Sequence, residues 1–411
     1  MTQKHKFIGL TALCTAVYFT SYISRINLSA VMVELIQCGF TGKQAGALAL
    51  TLCSVTYGAC QLLSGWLGDW FKPQNIVLLG FLLTASMNLG VMMLETSSLL
   101  PALWAVNGFA QACMWPPLVA ILTARLNRQE YSCACVWVSQ GSAFGTIFVY
   151  ACSPLLIRFG GFRTVFGFSG IAALVMALIW KGSFERWFAV SAAAVGRRDS
   201  GELPERAEAF PHDAWMLMAL IMLVIILQGS LRDGVTNWMP IFVSESFALD
   251  GASAILTGVL LPVFQIPCTA LAARLYRKHL PNETAAAGII FSVGAVCSVL
   301  LTLFMGHSVF MTALLMALLV GCMHGVNYML ISMAPRQFRR FGHVSLVSGA
   351  LNSCTYVGSA VSTYGIAILS ETMGWQSTSR LWAAIAAAGA FLCLSISKRW
   401  KKFKDSEPDE I

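Results

Sequence analysis

LVIILQGSLRDGVTNWMPIFV, residues Leu223–Val243, is apolar at both ends and carries Arg232 and Asp233 side by side at its centre. A run this long matches the ~20 residues a helix needs to cross the ~30 Å hydrocarbon core of a bilayer. The surrounding composition agrees. Hydrophobic residues make up 57% of the 411 and charged residues 11%, against ~25% charged in soluble domains. Mean hydropathy is +0.70. A soluble chain of this size could not bury so much apolar surface, so the natural solvent is lipid. The first apolar run, from Phe7, follows Lys4, His5 and Lys6. It is too long for a signal-peptide core and reads as a retained first span.

Spanning runs fall at 7–36, 44–68, 75–95, 98–124, 131–157 and 162–181, and again at 214–243, 250–275, 285–305, 308–333, 342–370 and 376–397. The expected fold is therefore an all-α membrane protein of 12 transmembrane helices in two six-helix bundles. The domains are 1–181, a polar linker at 182–213, a second bundle at 214–398 and a basic-then-acidic tail at 399–411. With the N-terminus inside, 21 of the 27 lysines and arginines fall on the cytoplasmic side. Four fall outside: Lys43, Arg158, Arg163 and Arg380. That bias sets the orientation, with both termini cytoplasmic in an inner or plasma membrane. The net charge of +8 is then a sidedness signal and not a nucleic-acid footprint. The C-terminal KRWKKFK, Lys398–Lys404, is expected against anionic headgroups. Thirteen cysteines are scattered without a CxxC pair and read as small packing residues. No metal, no cofactor and no Walker-type loop is expected.

Two arginines remain inside spans. Arg25 lies 18 residues beyond Phe7, and Arg232 at the same depth beyond Ala214. Each is followed by a short cytoplasmic loop: GWLGDWFK (Gly65–Lys72) and ALAARLYRK (Ala270–Lys278). The halves read as weak copies, the construction of transporters assembled from repeats.

Two six-span halves and the loop carrying Gly65, Asp69 and Lys72 resemble the major facilitator superfamily, which implies bundles related by a pseudo-twofold axis. Lys72 is followed here by Pro73 and Gln74, where the family usually has a Gly–Arg pair. YFTSYISRINLSAVM (Tyr18–Met32), MWPP (Met114–Pro117), LRDGVTNWMP (Leu231–Pro240) and SGALNSCTYVGSAVSTYG (Ser348–Gly365) are similar to the organophosphate:phosphate antiporters. Members of that branch carry glycerol-3-phosphate or hexose-6-phosphate. The resemblance covers most of the chain and implies Arg25, Tyr18, Tyr22 and Arg232 as substrate contacts. Two departures stand out. YGACQ puts Gln61 where the family has a lysine, and WVSQG follows Trp137 with Gly141 where a histidine is usual.

A guanidinium in lipid costs at least ~2.5 kcal/mol, so it should face a wet or paired interior. Its planar fork matches phosphate oxygens. Arg25 and Arg232, one per half, are read as the grip on one anionic cargo. Pairing of Arg232 with Asp233, or with a carboxylate on another span, is the competing reading. Consecutive helical residues point to different faces, which weighs against the first of these. An empty carrier with two repelling cations should rock slowly, which suits exchange. The acids Glu34, Glu95, Glu245 and Glu371 lie near span ends and only Asp233 is central, so Asp233 is the candidate for proton coupling. Gln61, Trp137, His324, Asn352 and Tyr356 are second-tier cavity candidates. His324 could titrate near neutrality, and is also a plausible structural hydrogen-bonder. Asn352 and Tyr356 are one turn apart. Trp115, Pro116 and Pro117 read as a helix break, and Gly141, Gly145, Gly349 and Gly358 as close-packing sites.

The expected activity is exchange of an organophosphate for inorganic phosphate by a monomeric, non-enzymatic carrier. Proton symport of a small organic anion such as a sugar acid, and a transporter-like sensor of sugar phosphates, are the alternatives.

Overall fold

The computed structural model describes residues 3–70, 72–187, 212–341 and 344–405. Among them the regular structure is helical. In chain order the helices are α1 (Gln3–Gln37), α2 (Lys43–Trp70), α3 (Pro73–Met92), α4 (Leu100–Ala112), α5 (Trp115–Arg125), α6 (Arg128–Gly160) and α7 (Phe162–Trp187). They continue as α8 (His212–Phe247), α9 (Gly251–Thr257), α10 (Leu260–Lys278), α11 (Glu283–Phe304) and α12 (Val309–Asn327). A π-helical turn, Tyr328–Met333, and a 3-10 segment, Ala334–Phe341, lead to α13 (Val344–Thr372) and α14 (Gly374–Asp405). Ten helical stretches among the described residues are long and apolar enough to cross a membrane. The long helices α2 and α13 complete the set of twelve; both are richer in Gly, Ser, Thr and other small residues.

Local chemistry sets the boundaries. Pro73 starts α3 at the position where its missing N–H costs nothing. Pro116 and Pro117 lack or block the bonds a continuous helix needs, so the fourth span breaks at Cys113–Met114 between α4 and α5. Asn282 and Ser308 cap α11 and α12 through side-chain oxygens that accept from Ala285 N (3.0 Å) and Met311 N (3.4 Å). Gly161 (φ 68°) and Gly374 (φ 75°) take the left-handed conformation that joins α6 to α7 and α13 to α14.

The chain divides into two compact units: Met1–Gly201 with Asp250–Val259, and Glu202–Leu249 with Leu260–Ile411. Within the first, α1 packs along α6, α2 along α4 and α3 along α7. Within the second, α8 packs along α13, α10 along α12 and α11 along α14. By span order these are the same three pairings, one set per unit. The closest pairs meet over glycine, as expected where backbones touch inside a membrane. A Cβ on Gly141 or Gly145 would stand 2.7 Å from Thr15 O or 2.6 Å from Phe19 O. One on Gly229 or Gly358 would run into the backbone of Thr355 or Ile226. The tryptophans repeat too. Trp180, near the end of α7, donates to Gln74 O at the start of α3 (3.0 Å), and Trp400 on α14 donates to the Glu283 carboxylate at the start of α11 (2.8 Å).

Several sequence expectations need correction. GWLGDWFK is not a loop: helix α2 runs through Gly65 and Asp69 to Trp70, and only Lys72 caps the next helix in an extended conformation. The side chains of Gly65 and Asp69 lie outside the described residues. ALAARLYRK is likewise the last turns of α10. Apolarity measures the hydrocarbon crossing, whereas the helix continues into water until a breaker stops it. The basic tail is similarly part of α14, which runs unbroken to Asp405 with Trp400 and Phe403 buried and Lys398, Arg399, Lys401 and Lys402 exposed. The first bundle extends to Trp187, and residues 188–211 of the expected linker lie outside the described residues. Asp250–Val259 was expected in the second bundle. It packs instead on α1 and α6, where Gly258 accommodates the Tyr150 ring and Gly251 approaches Glu34 and Gln37.

Candidate functional site

In the first unit, Tyr18, Tyr22 and Arg25 recur at seven, three and zero residues before the arginine and share one face of α1. The half-buried Arg25 guanidinium lies 4.1 Å from the centroid of Tyr57 and 5.6 Å from that of Tyr22. Tyr22 packs edge-on to Tyr18 at 5.1 Å, and Tyr18 meets Trp115 at 5.0 Å. Gln61 Nε2 donates to the Tyr57 hydroxyl at 3.0 Å. The π faces offset part of the guanidinium's lost hydration, each by ~0.5–2 kcal/mol, and hold its plane. Tyr57 was missed in the sequence, although the quoted YGACQ contains it: Tyr57 and Gln61 are one helical turn apart.

The same unit holds a polar network that hydropathy concealed. Asn27 donates to Asn88 (2.7 Å), Asn88 and Asn107 donate to Ser24 O (3.2 and 3.1 Å), and Ser21 donates to Gln111 (2.5 Å). All of these side chains are buried. The bonds tie α1 to α3 and α4.

In the second unit, Arg232 and Asp233 form a bidentate pair, Nε to Oδ1 at 2.6 Å and Nη2 to Oδ2 at 2.9 Å. This corrects the sequence expectation. Adjacent Cβ atoms diverge by ~100° on a helix, but the arginine stem is long enough to bring its head back over the neighbouring carboxylate. Arg232 Nη1 also donates to Asn327 Oδ1 at 3.3 Å. One turn earlier, buried Gln228 donates to Met323 O at 3.1 Å, so α8 and α12 are bonded in step. Helix α12 gives way to the π turn at Tyr328, immediately after Asn327; such turns concentrate at functional sites. His324, one turn before Asn327, is half-buried.

On α13, Tyr356 is buried and Asn352 half-buried. That helix is fastened to α8 by Ser230 donating to Gly358 O (3.1 Å), Asn237 to Thr363 Oγ1 (3.2 Å) and Trp238 to Thr363 O (3.0 Å). Trp137 on α6 is 55% exposed.

A second acid escaped the sequence inventory. Glu283 is fully buried and accepts from Tyr276 Oη (2.7 Å), Gln337 Nε2 (3.0 Å) and Trp400 Nε1 (2.8 Å), with Lys404 Nζ 3.7 Å away. It joins α10, α11, the 3-10 segment and α14. Glu245, one of the acids near span ends, accepts from Trp375 Nε1 at 2.7 Å.

The model of the Major Facilitator Superfamily matches residues 14–363. A probable hexose phosphate transport protein of Chlamydia trachomatis is 27% identical over 164 residues, 39% of this chain and 36% of that protein. The match therefore spans little more than a third of that relative's length. The membrane sensor protein UhpC of Escherichia coli is 21% identical over 397 residues, 92% of this chain and 89% of that protein. Among solved structures, a peptide transporter POT in complex with sulfate gives a TM-score of 0.78 at 11% identity, covering 96% of this chain and 95% of that one. A bacterial homolog to the human lysosomal transporter Spinster gives 0.75 at 13%, covering 97% of each. At such identities these two establish the fold alone.

Proposed function

Since the chain belongs to the major facilitator superfamily, we propose that this integral membrane transporter exchanges an organophosphate of the sugar-phosphate or glycerol-3-phosphate type for inorganic phosphate by alternating access. It is a carrier and not an enzyme. The observation that carries the reading is Arg25, a permanent cation held on the faces of Tyr57 and Tyr22 within an apolar helix. A cation is placed in such a helix at a cost, and an anionic cargo is what repays it. Arg232, in the second unit, is the other proposed anion-binding residue. Tyr18 and Tyr22 join them, with Gln61, His324, Asn352, Tyr356 and Trp137 as outer candidates. The named hexose phosphate relative supports the cargo class. The carrier is proposed to work as a monomer in an inner or plasma membrane, with both termini cytoplasmic and no nucleic-acid partner.

The Arg232–Asp233 pair favours one second reading, proton-coupled symport of an organic anion, because cargo that draws Arg232 away leaves Asp233 to take a proton. Proteoliposomes loaded with labelled phosphate separate the two. Exchange predicts efflux that requires external phosphate or organophosphate and ignores a protonophore. Symport predicts uptake that the protonophore abolishes. Absence of any flux, with binding retained, would align the chain with the sensor relative. Arg25→Lys and Arg232→Lys are each expected to slow transport roughly 100-fold while leaving a monodisperse protein, because lysine lacks the fork. Full activity in either variant removes that residue from the site.

A further inference from the structure

Arg25 sits inside a turn of α1 whose main-chain groups are given extra partners by side chains. In a regular helix the Ser24 carbonyl accepts from Leu28 N, four residues on. Two side-chain amides from other helices reach the same oxygen: Asn88 Nδ2 from α3 at 3.2 Å and Asn107 Nδ2 from α4 at 3.1 Å. A carbonyl oxygen has two lone pairs, and these amides can fill both. The other end of that bond is provided for as well, because Leu28 N donates to Asn27 Oδ1 at 3.0 Å. Asn27 Nδ2 then donates to Asn88 Oδ1 at 2.7 Å. That closes a side-chain path from the Leu28 N–H back to the Ser24 carbonyl. Ser24, Asn27, Leu28, Asn88 and Asn107 are all fully buried. Asn107 Oδ1 finds no hydrogen-bond partner among the described residues. A buried acceptor left unpaired is costly, and leucine, of similar size, would pack α1 on its neighbours without that cost.

We propose that Asn27, Asn88 and Asn107 are positioning residues that act through Arg25. They carry both ends of the Ser24–Leu28 bond, so α1 can bend at the arginine without leaving a main-chain group unpaired in an apolar interior. This rests on the reading that Arg25 binds the cargo. Ser24 immediately precedes Arg25 and Leu28 follows it by three residues. Opening this one turn re-aims the guanidinium while Tyr18 and Tyr22, on earlier turns, stay with the rest of the helix. The asparagines are not themselves contacts of the cargo; they lower the barrier to moving the residue that is.

The test uses the full chain in proteoliposomes and measures the maximal rate and half-saturating concentration of phosphate exchange. The variants are Asn107→Leu and the triple Asn27→Leu/Asn88→Leu/Asn107→Leu. Without the amides the Ser24–Leu28 bond has no substitute and α1 stiffens. The maximal rate is expected to fall about tenfold, the scale of one hydrogen bond, with half-saturation changed less than about twofold. The melting temperature of the triple variant in detergent is expected to hold or rise, since polar partners replaced together by apolar groups of like shape leave none of one another unpaired. Asn107→Gln, which keeps the amide, should recover part of the rate. Gln111→Leu is the control: Gln111 belongs to the same buried network but bonds the side chains of Ser21 and Thr84, and its loss should spare the rate. A full rate in both leucine variants overturns the proposal. So does half-saturation that rises in step with the loss of rate, which would make the asparagines cargo contacts. A melting temperature that falls with the rate overturns it too, by assigning them to packing. If neither leucine variant folds, hydrogen exchange of the unmodified protein decides. The Leu28 amide, read from overlapping peptides, should exchange faster than those of Val31–Leu35 nearer the helix end, and equal or greater protection overturns the proposal. Arg25→Lys keeps the two readings apart. Full transport in that variant, or no phosphate flux in the unmodified protein, sinks the underlying function. Loss of transport in Arg25→Lys beside full-rate leucine variants sinks only the hinge.

Discussion

At the scale of single residues, the molecule places two guanidiniums in apolar helices and accommodates them differently. Arg25 rests on the aromatic faces of Tyr57 and Tyr22. Arg232 is matched oxygen for nitrogen by its neighbour Asp233. The sequence located both cations and the Tyr18–Tyr22–Arg25 face, because a fixed helical period follows directly from residue order. It did not reveal Tyr57 beneath Arg25, which required knowing that α2 passes beside α1. It also misjudged Asp233, where side-chain length outweighed helix geometry. Glu283 shows the same limit: its donors Tyr276, Gln337 and Trp400 are scattered over 125 positions of chain and meet only in the fold. Glu283→Ala would leave buried Trp400 Nε1 without its acceptor, at about 1–3 kcal/mol, and half-buried Tyr276 and Gln337 without theirs at a smaller cost. A marked drop in thermal stability in detergent, followed by size-exclusion chromatography, is expected. An unchanged melting temperature would show that the cluster is not holding α14 to α11.

At the scale of elements, three pairings recur in each unit, and glycines set how closely the paired backbones approach. A Cβ on Gly358 meets the Ile226 backbone, whereas one on Gly365, two turns along the same helix, meets nothing within 4 Å. Gly358→Ala should therefore cost roughly 1–3 kcal/mol through forced separation of α8 and α13. Gly365→Ala should be neutral or slightly stabilising, since alanine is the better helix former. Thermal unfolding of the two variants side by side checks the contrast; equal effects would remove the close contact as the cause. The break between α4 and α5 was legible from Pro116 and Pro117 alone, because proline acts on its own backbone. The helical continuation of Gly65–Trp70 and Arg399–Asp405 was not, because hydropathy marks where lipid ends and says nothing of where hydrogen bonding stops.

At the scale of the whole molecule, the distribution of lysine and arginine leads to the proposal that both ends of the chain face the cytoplasm. A fluorescent protein that matures only in the cytoplasm, fused after Ile411, should fluoresce, and a periplasmic phosphatase fused there should stay inactive. The reverse pattern would invert the orientation and every loop with it.

What residue order determined alone was whatever depends on local chemistry or on the bilayer as solvent: an all-helical chain, the approximate crossings, the duplication into halves, and the two arginines too costly to be incidental. Each follows from free energies that act residue by residue along the chain. Only the tertiary structure decided what each charge touches. Tyr57 lies under Arg25, Asn327 stands at Arg232, Glu283 gathers four elements, and Asp250–Val259 packs away from the half it belongs to in sequence. Those contacts join residues far apart in the chain, and their geometry is set by how whole helices pack, which no local pattern encodes.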